Sequence, residues 1–322
     1  MLFMSIGLFS SDSSSWQSSC SLLLIAHQMR IFHRIIGLHP YPLKSKVVDS
    51  LETLSQRHYE NFPVGSFLLP KEFRKPISLI YAYARVADDI ADEGDVPIPT
   101  RLERLDQWEN KLKGSLAGER KEAFFAKLAE EVTRYAIPLQ LFYDLVTAFR
   151  MDARGPEFWT FEDVLFYCRH SANPIGRMLL HIFGSFTEEN ASRSDAICSA
   201  LQLANFWQDL SVDIKRNRFY IPSEDLSRFS VTKQELLDGS GKDNAISLIK
   251  FQIDRTRKMF LQGKPLVHSI DRRFRFELKL TYQGGMRILE KVESMGPAVL
   301  RTRPALTKYD WGNIILRSMI KS

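Results

Sequence analysis

Two stretches more than a hundred residues apart carry oxygen-bearing side chains at helical spacing, and they constrain this chain more than any other feature. The first runs from Tyr81 to Asp92. Wound as an α-helix, it places Tyr81, Arg85, Asp88 and Asp92 at steps of four, three and four, on one face. Ile77, Ile80 and Ala84 supply a second, apolar stripe. The second stretch carries Asn205, Asp209 and Asp213 at i, i+4 and i+8, with Phe206, Leu210 and Ile214 available for packing. Carboxylates one turn apart repel, so a solvated helix gains nothing from this order. It becomes favourable when a hard divalent cation sits between them, because Mg²⁺ takes oxygen ligands and keeps waters and substrate phosphate in its shell. Asp89, about 100° round the helix from Asp88, is a flanking ligand candidate. A solvated acidic helix end is the competing reading for either stretch alone; it explains two of the same design poorly.

Lys215, Arg216, Arg218 and Tyr220 follow the second ridge directly, and Arg85 stands inside the first. Carboxylates that hold a metal, with cations beside them, suit a metal-bridged polyanion such as a diphosphate. Salt bridges between these arginines and the neighbouring aspartates are the alternative.

The two ridges, the run His58-Tyr-Glu-Asn-Phe-Pro-Val-Gly-Ser66, the segment around Tyr167, and Ser171-Ala-Asn-Pro-Ile-Gly-Arg177 resemble the squalene/phytoene synthase family. The resemblance runs from about Leu43 to the C-terminus, and within the family it is nearest the bacterial hydroxysqualene synthases of hopanoid biosynthesis. It implies an all-α fold: one isoprenoid-synthase-type helical bundle around a central cavity, with the two ridges facing each other across it. It also implies that Asp88, Asp92, Asn205, Asp209 and Asp213 bind Mg²⁺, and that Arg85, Arg216, Arg218 and Tyr220 contact diphosphate. Ionisation is the difficult step, and Mg²⁺ with arginine improves the leaving group by neutralising its charge as the C–O bond breaks. His58, Asn61, Phe62, Tyr81 and Tyr167 fall in matched motifs as substrate contacts. Their aromatic faces can stabilise a transient carbocation, and plain core packing competes for each ring.

Two departures from the family pattern bear on the reaction. Where the family usually reads Ala-Gly-Thr-Val-Gly, this chain has Ala172-Asn-Pro-Ile-Gly176, which puts a carboxamide into an apolar lining. Asn173 is therefore expected to position an attacking water; the alternative is that it satisfies backbone groups freed by Pro174. In addition, the family often carries an arginine where Glu293 stands, so one diphosphate site rather than two is expected. The leading expectation is Mg²⁺-dependent conversion of presqualene diphosphate and water to hydroxysqualene, with a presqualene diphosphate-forming enzyme handing over the substrate. Head-to-head condensation of two farnesyl or geranylgeranyl diphosphates to squalene or phytoene is the alternative enzyme reading. A non-catalytic assembly protein is the reading from another class, and the repelling carboxylates argue against it.

At 322 residues the chain can bury a large core, and its 44% hydrophobic and 25% charged composition is that of a globular protein. A net charge of +6 permits anionic partners, but no nucleic-acid motif accompanies it. Cys20, Cys168 and Cys198 are too scattered for a disulfide framework or a zinc site, which fits a reducing cytoplasm. Residues 1–42 are Ser-rich with only a short apolar run, and are expected to be a poorly ordered extension; Met29 is an alternative start. Residues 43–322 form the helical domain. No segment matches a membrane span, although an apolar C30 product implies transient contact with the inner membrane surface.

From Pro42 onward the periodicity is helical: Val47–Gln56, a helix carrying the first ridge, Thr100–Lys113, Glu119–Tyr135, Pro138 to about Met151, and Phe161–Phe183 interrupted near Pro174. Glu189–Asp213, short helices after Pro222, Asn244–Gln262, Arg273–Met295 and Lys308–Ile320 complete the chain.

Overall fold

The most deeply enclosed helix is the one that ends in the second ridge. It spans Glu188–Asp213, and between Ile197 and Ser211 only Asn205 is not buried. Small residues (Ser199, Ala200, Ala204) let neighbours approach it closely, and a helix apolar on every side has to be surrounded. Thr187 caps its start, the hydroxyl accepting from Asn190 N–H at 3.1 Å.

The computed structural model describes residues 70–92, 94–238 and 242–320. Among these there are helices and connecting turns but no strands, so the all-α expectation holds. In chain order they are α1 (Lys71–Asp92), α2 (Ile98–Leu116), α3 (Ala123–Arg134), α4 (Gln140–Arg154), α5 (Phe161–Ser171), α6 (Asn173–Ile182) and α7 (Glu188–Asp213). A 3-10 turn at Ile214–Arg216 leads to α8 (Ser223–Arg228), α9 (Lys233–Asp238), α10 (Lys242–Gly263), α11 (Leu266–Ser269) and α12 (Arg272–Met295), and α13 (Lys308–Met319) closes the described chain. The expected helix Val47–Gln56 and the boundary near residue 42 lie outside the described residues.

α1 begins at Lys71 and holds Pro76 within it. Two expected boundaries shift for local reasons. Residues 117–122 form a turn through Gly118 (φ 102°), with Glu119 N–H on Gly114 C=O, and α3 starts only at Ala123. The interruption near Pro174 is a complete break. Pro174 has no N–H to continue the ladder, so α5 ends at Ser171, Ala172 bridges, and α6 begins with the proline in its first turn.

α1, α7 and α12 run in the same direction, which gives the bundle two distinct ends. At one end Phe183 packs on Phe73 (centroids 4.5 Å apart) and stacks on Phe274 (4.2 Å, 16°). Midway, Gly285 of α12 lies so close to α7 that a Cβ there would stand 2.9 Å from Leu201 Cδ2 and 2.5 Å from Phe260 Cζ. At the other end Gln208 of α7 donates to Pro304 C=O at 2.8 Å. The first and second ridges both lie at this second end.

Candidate active site

α1 delivers the first ridge in a fixed orientation because its C-terminus is tied down. Gly94 (φ 79°) turns the chain, and the Arg101 guanidinium donates to the carbonyls of Ala91, Gly94 (2.7 Å) and Val96 (3.0 Å), acceptors a helix end leaves unpaired. Within the ridge Arg85 Nη1 pairs with Asp88 at 2.9 Å and Nη2 with Asp89. Asp88 is only 2% exposed. Tyr81, also buried, stands seven residues earlier, about 10 Å down the helix axis.

The second ridge reaches the first through the turn that follows it. Asn217 adopts a left-handed conformation (φ 57°), which asparagine tolerates better than most residues. Arg218 N–H closes the turn on Asp213 C=O at 2.9 Å. The reversal aims Arg218 back at α1, where its guanidinium spans both oxygens of Asp92 at 3.1 and 3.4 Å. Residues 126 positions apart in sequence are thus joined at one site.

Two functional groups here were not among the sequence candidates. Asp152, at the end of α4, accepts from the Tyr167 hydroxyl at 2.9 and 3.1 Å. Burial, then the nearby charges of Asp92 and Asp88, push its carboxyl well above the ordinary range against the pull of Tyr167 and Arg218. It continues the otherwise apolar stripe Leu145, Ala148, Phe149 of α4, and an acid on a buried stripe is a signal the sequence did hold. Arg303 pairs through Nε with Asp209. It comes from the irregular segment before α13, which has no periodicity to mark it.

The carboxylates of the second ridge are strongly perturbed. Burial raises Asp209, with Arg303 and Arg216 pulling the other way. Burial and then the charge of Asp209 push Asp213 up to about 7, against Arg218, Arg216 and Arg303. Asn205 is half-buried on the same helix face. The aromatic candidates pack together: Tyr220 stacks on Phe206 (3.9 Å, 8°), and Tyr167 lies edge-on to Phe158 at 5.7 Å and 6.3 Å from Tyr220.

Asn173 is buried at the start of α6, its Oδ1 accepting from Ser199 Oγ of α7 at 2.9 Å. Ser199 is ten residues before Asp209, so this contact lies about 15 Å from the ridge along α7. The carboxamide oxygen thus ties two helices together rather than serving the backbone at the Pro174 break. Glu293 is 42% exposed at its side chain and pairs with Arg257 at 2.8 Å. Arg303, from another segment, brings a cation to Asp209. His58, Asn61 and Phe62 lie outside the described residues.

The donor set is all oxygen, carried on two ridges at one end of the bundle, as a hard divalent cation requires. Among the described residues, however, no three acidic, His or Cys side chains stand close enough to form a ready-made metal cage. Arg85, Arg218 and Arg303 each clasp aspartates of the ridges instead. Buried carboxylates with raised proton affinity fit an incoming cation that would displace those pairings.

A family model described as squalene/phytoene synthase matches residues 55–310. The chain is similar to 15-cis-phytoene synthase of Synechocystis sp., 29% identical over 252 residues and covering 74% of each chain. It is 28% identical over 271 residues to 15-cis-phytoene synthase of Synechococcus elongatus, covering 80% of this chain and 88% of that one. Among solved structures it is similar to squalene synthase HpnC from Alicyclobacillus acidocaldarius, with 35% identity, TM-score 0.70, and coverage of 76% of this chain and 92% of that one. A dehydrosqualene synthase shares the fold at 20% identity and TM-score 0.72, covering 83% and 93% of the two chains.

Proposed function

This chain belongs to the squalene/phytoene synthase family, and we propose that it joins two prenyl diphosphates head to head with release of diphosphate. The observation that carries this reading is the Asp92–Arg218 pair, which brings both acidic ridges and the basic turn to one end of the bundle. Mg²⁺, bound through Asp88, Asp92, Asn205, Asp209 and Asp213 with Asp89 flanking, would supply charge neutralisation of the leaving group. The protein's own part is an exchange of partners. Arg85, Arg216, Arg218 and Arg303 would hold diphosphate oxygens once the aspartates had taken a cation, and Arg218 and Arg303 stand at the ridges where they could do so. The packed rings of Phe158, Tyr167, Phe206 and Tyr220 keep water from the charged end and present polarisable faces to a cation.

A second reading is the conversion of presqualene diphosphate and water to hydroxysqualene, with the substrate received from another enzyme. The Asn173–Ser199 pair favours it, as two buried polar side chains, already joined to each other, that could also hold a water. No helix among the described residues is long and apolar enough to cross a membrane. Delivery of a C30 lipid would take place by contact with the membrane surface.

Incubating the protein with Mg²⁺ and, separately, farnesyl, geranylgeranyl and presqualene diphosphate, then identifying products by mass, tests both. A hydrocarbon of twice the substrate's carbon number supports condensation. An alcohol formed from presqualene diphosphate alone replaces it with the second reading. No consumption of any diphosphate would leave the non-catalytic assembly protein.

A further inference from the structure

α13 is turned inside out. Its buried face carries Asp310 and Ser318 beside Trp311 and Ile314. The two polar groups are satisfied there: Asp310 takes Arg287 at 2.7 Å and Lys291 at 2.5 Å, and the Ser318 hydroxyl donates to Ile314 C=O at 2.7 Å. The outer face carries Tyr309, Leu316 and Met319, with Ile320 at the C-cap, each more than half exposed. Ten large apolar side chains are exposed among the described residues, and four of them fall within these twelve positions. Scattered exposed apolar residues are ordinary; gathered on one helix they mark a contact surface.

At about 100° per residue, Met319, Gly312, Leu316, Tyr309 and Ile320 follow one another round an arc of about 100°. Lys308 borders one edge of this stripe, and Arg317 borders the other, beyond Asn313; both cations are exposed. Lys279 of α12 donates to Ile320 C=O at 3.3 Å and brings a third cation to the end of the stripe. The one acid of α13, Asp310, is buried, and Glu290 of α12 stands on Arg317 at 3.1 Å. From Lys279 to Lys291 and along α13 the sequence has five cations against two acids.

We propose that α13 lies flat on a membrane whose surface carries anionic lipid headgroups. Twelve helical residues are about 18 Å long, too short to cross about 30 Å of hydrocarbon. An apolar stripe bordered by cations instead rests at the boundary between headgroups and acyl chains. Leu316, Met319 and Ile320 enter the apolar layer, and Lys308 and Arg317 meet the headgroup charge on either side. A second copy seated on the same stripe would set cations against cations, with no exposed carboxylate of α13 to answer them. The membrane contact that an apolar product calls for thus has a place on the fold. Binding here needs no substrate, so it can fail while the head-to-head reading stands.

The test is co-sedimentation of the full chain, without substrate, with vesicles of phosphatidylcholine alone and of equal parts phosphatidylcholine and phosphatidylglycerol. The wild type is expected on the mixed vesicles at low salt and should leave them as salt rises. Replacing Leu316→Ser and Met319→Ser together should weaken binding about tenfold or more. Lys308→Gln should weaken binding to the mixed vesicles about fivefold. Should the double variant fail to fold, Tyr309→Ser, at the other end of the stripe, must shift binding in the same direction. A wild type that stays in solution with both vesicles overturns the proposal, as does a folded double variant that sediments like the wild type. A wild-type dimer that the double variant breaks, with no vesicle binding, assigns the stripe to a second copy and overturns it too.

Discussion

The Asp92–Arg218 pair is the contact on which the site depends, and a double-mutant cycle isolates it. Arg218 is 35% exposed at its side chain and Asp92 14%, so solvent screens the pair in part. A charge-assisted, two-pronged contact contributes about 1.5–3 kcal/mol when shielded; with this exposure about 1–2 kcal/mol of coupling remains. Burial opposes the charge of Arg218, but Asp92, Tyr220 and Asp152 together outweigh it and hold the guanidinium above its ordinary pKa. Chemical unfolding of wild type, Asp92→Asn, Arg218→Ala and the double variant, without Mg²⁺, should therefore give single losses that do not add. Their shortfall should be about 1–2 kcal/mol. Arg218→Lys keeps the charge but not the two-pronged geometry, and should recover less than half of it. In turnover Arg218→Ala should lose about a hundredfold, since it removes a donor that would face developing charge. Additivity within about 0.3 kcal/mol, or an Arg218→Ala enzyme with wild-type turnover, would refute the reasoning.

Burial raises the Glu277 carboxyl of α12, so Glu277→Gln should change how stability depends on pH. A carboxyl whose folded pKa lies above its unfolded value makes stability fall as pH rises from the unfolded pKa, about 4.3, to the folded one, about 7. The variant should thus gain on the wild type across that window by about 1–3 kcal/mol and level off above it, with parallel urea titrations at pH 4.5 and pH 8 as the check. Tyr167→Phe removes the hydroxyl donated to Asp152 and leaves the ring packing intact. It should cost about 1–2 kcal/mol in urea unfolding and lower kcat more than it raises KM. Gly285→Ala drives a methyl into Phe260 and Leu201, which should cost about 1–3 kcal/mol, and an unchanged calorimetric melting temperature would contradict that packing.

The helices were legible because their signals are local. The course of α7 followed from periodicity and stop signals to within one residue, Glu189–Asp213 expected against Glu188–Asp213 observed. Each ridge was visible for the same reason, since i, i+4 spacing is written along a single helix. A resemblance in several short motifs gave the fold, and the helical structure agrees with it. What the sequence left open is which charges meet across the bundle. That Arg218 reaches Asp92 depends on one left-handed residue, Asn217, and that Arg303 reaches Asp209 depends on an irregular segment with no pattern to read. Asp152 and Glu277 sit on stripes the sequence displayed, but whether a buried acid has a partner is decided by other helices. Glu293, which looked like a missing cation, proved to be a surface residue paired with Arg257. Periodicity determined which face each helix buries; only the packing of distant segments decided which acids found a cation and which, like Glu277, did not, because charge pairing depends on separation in space and not along the chain.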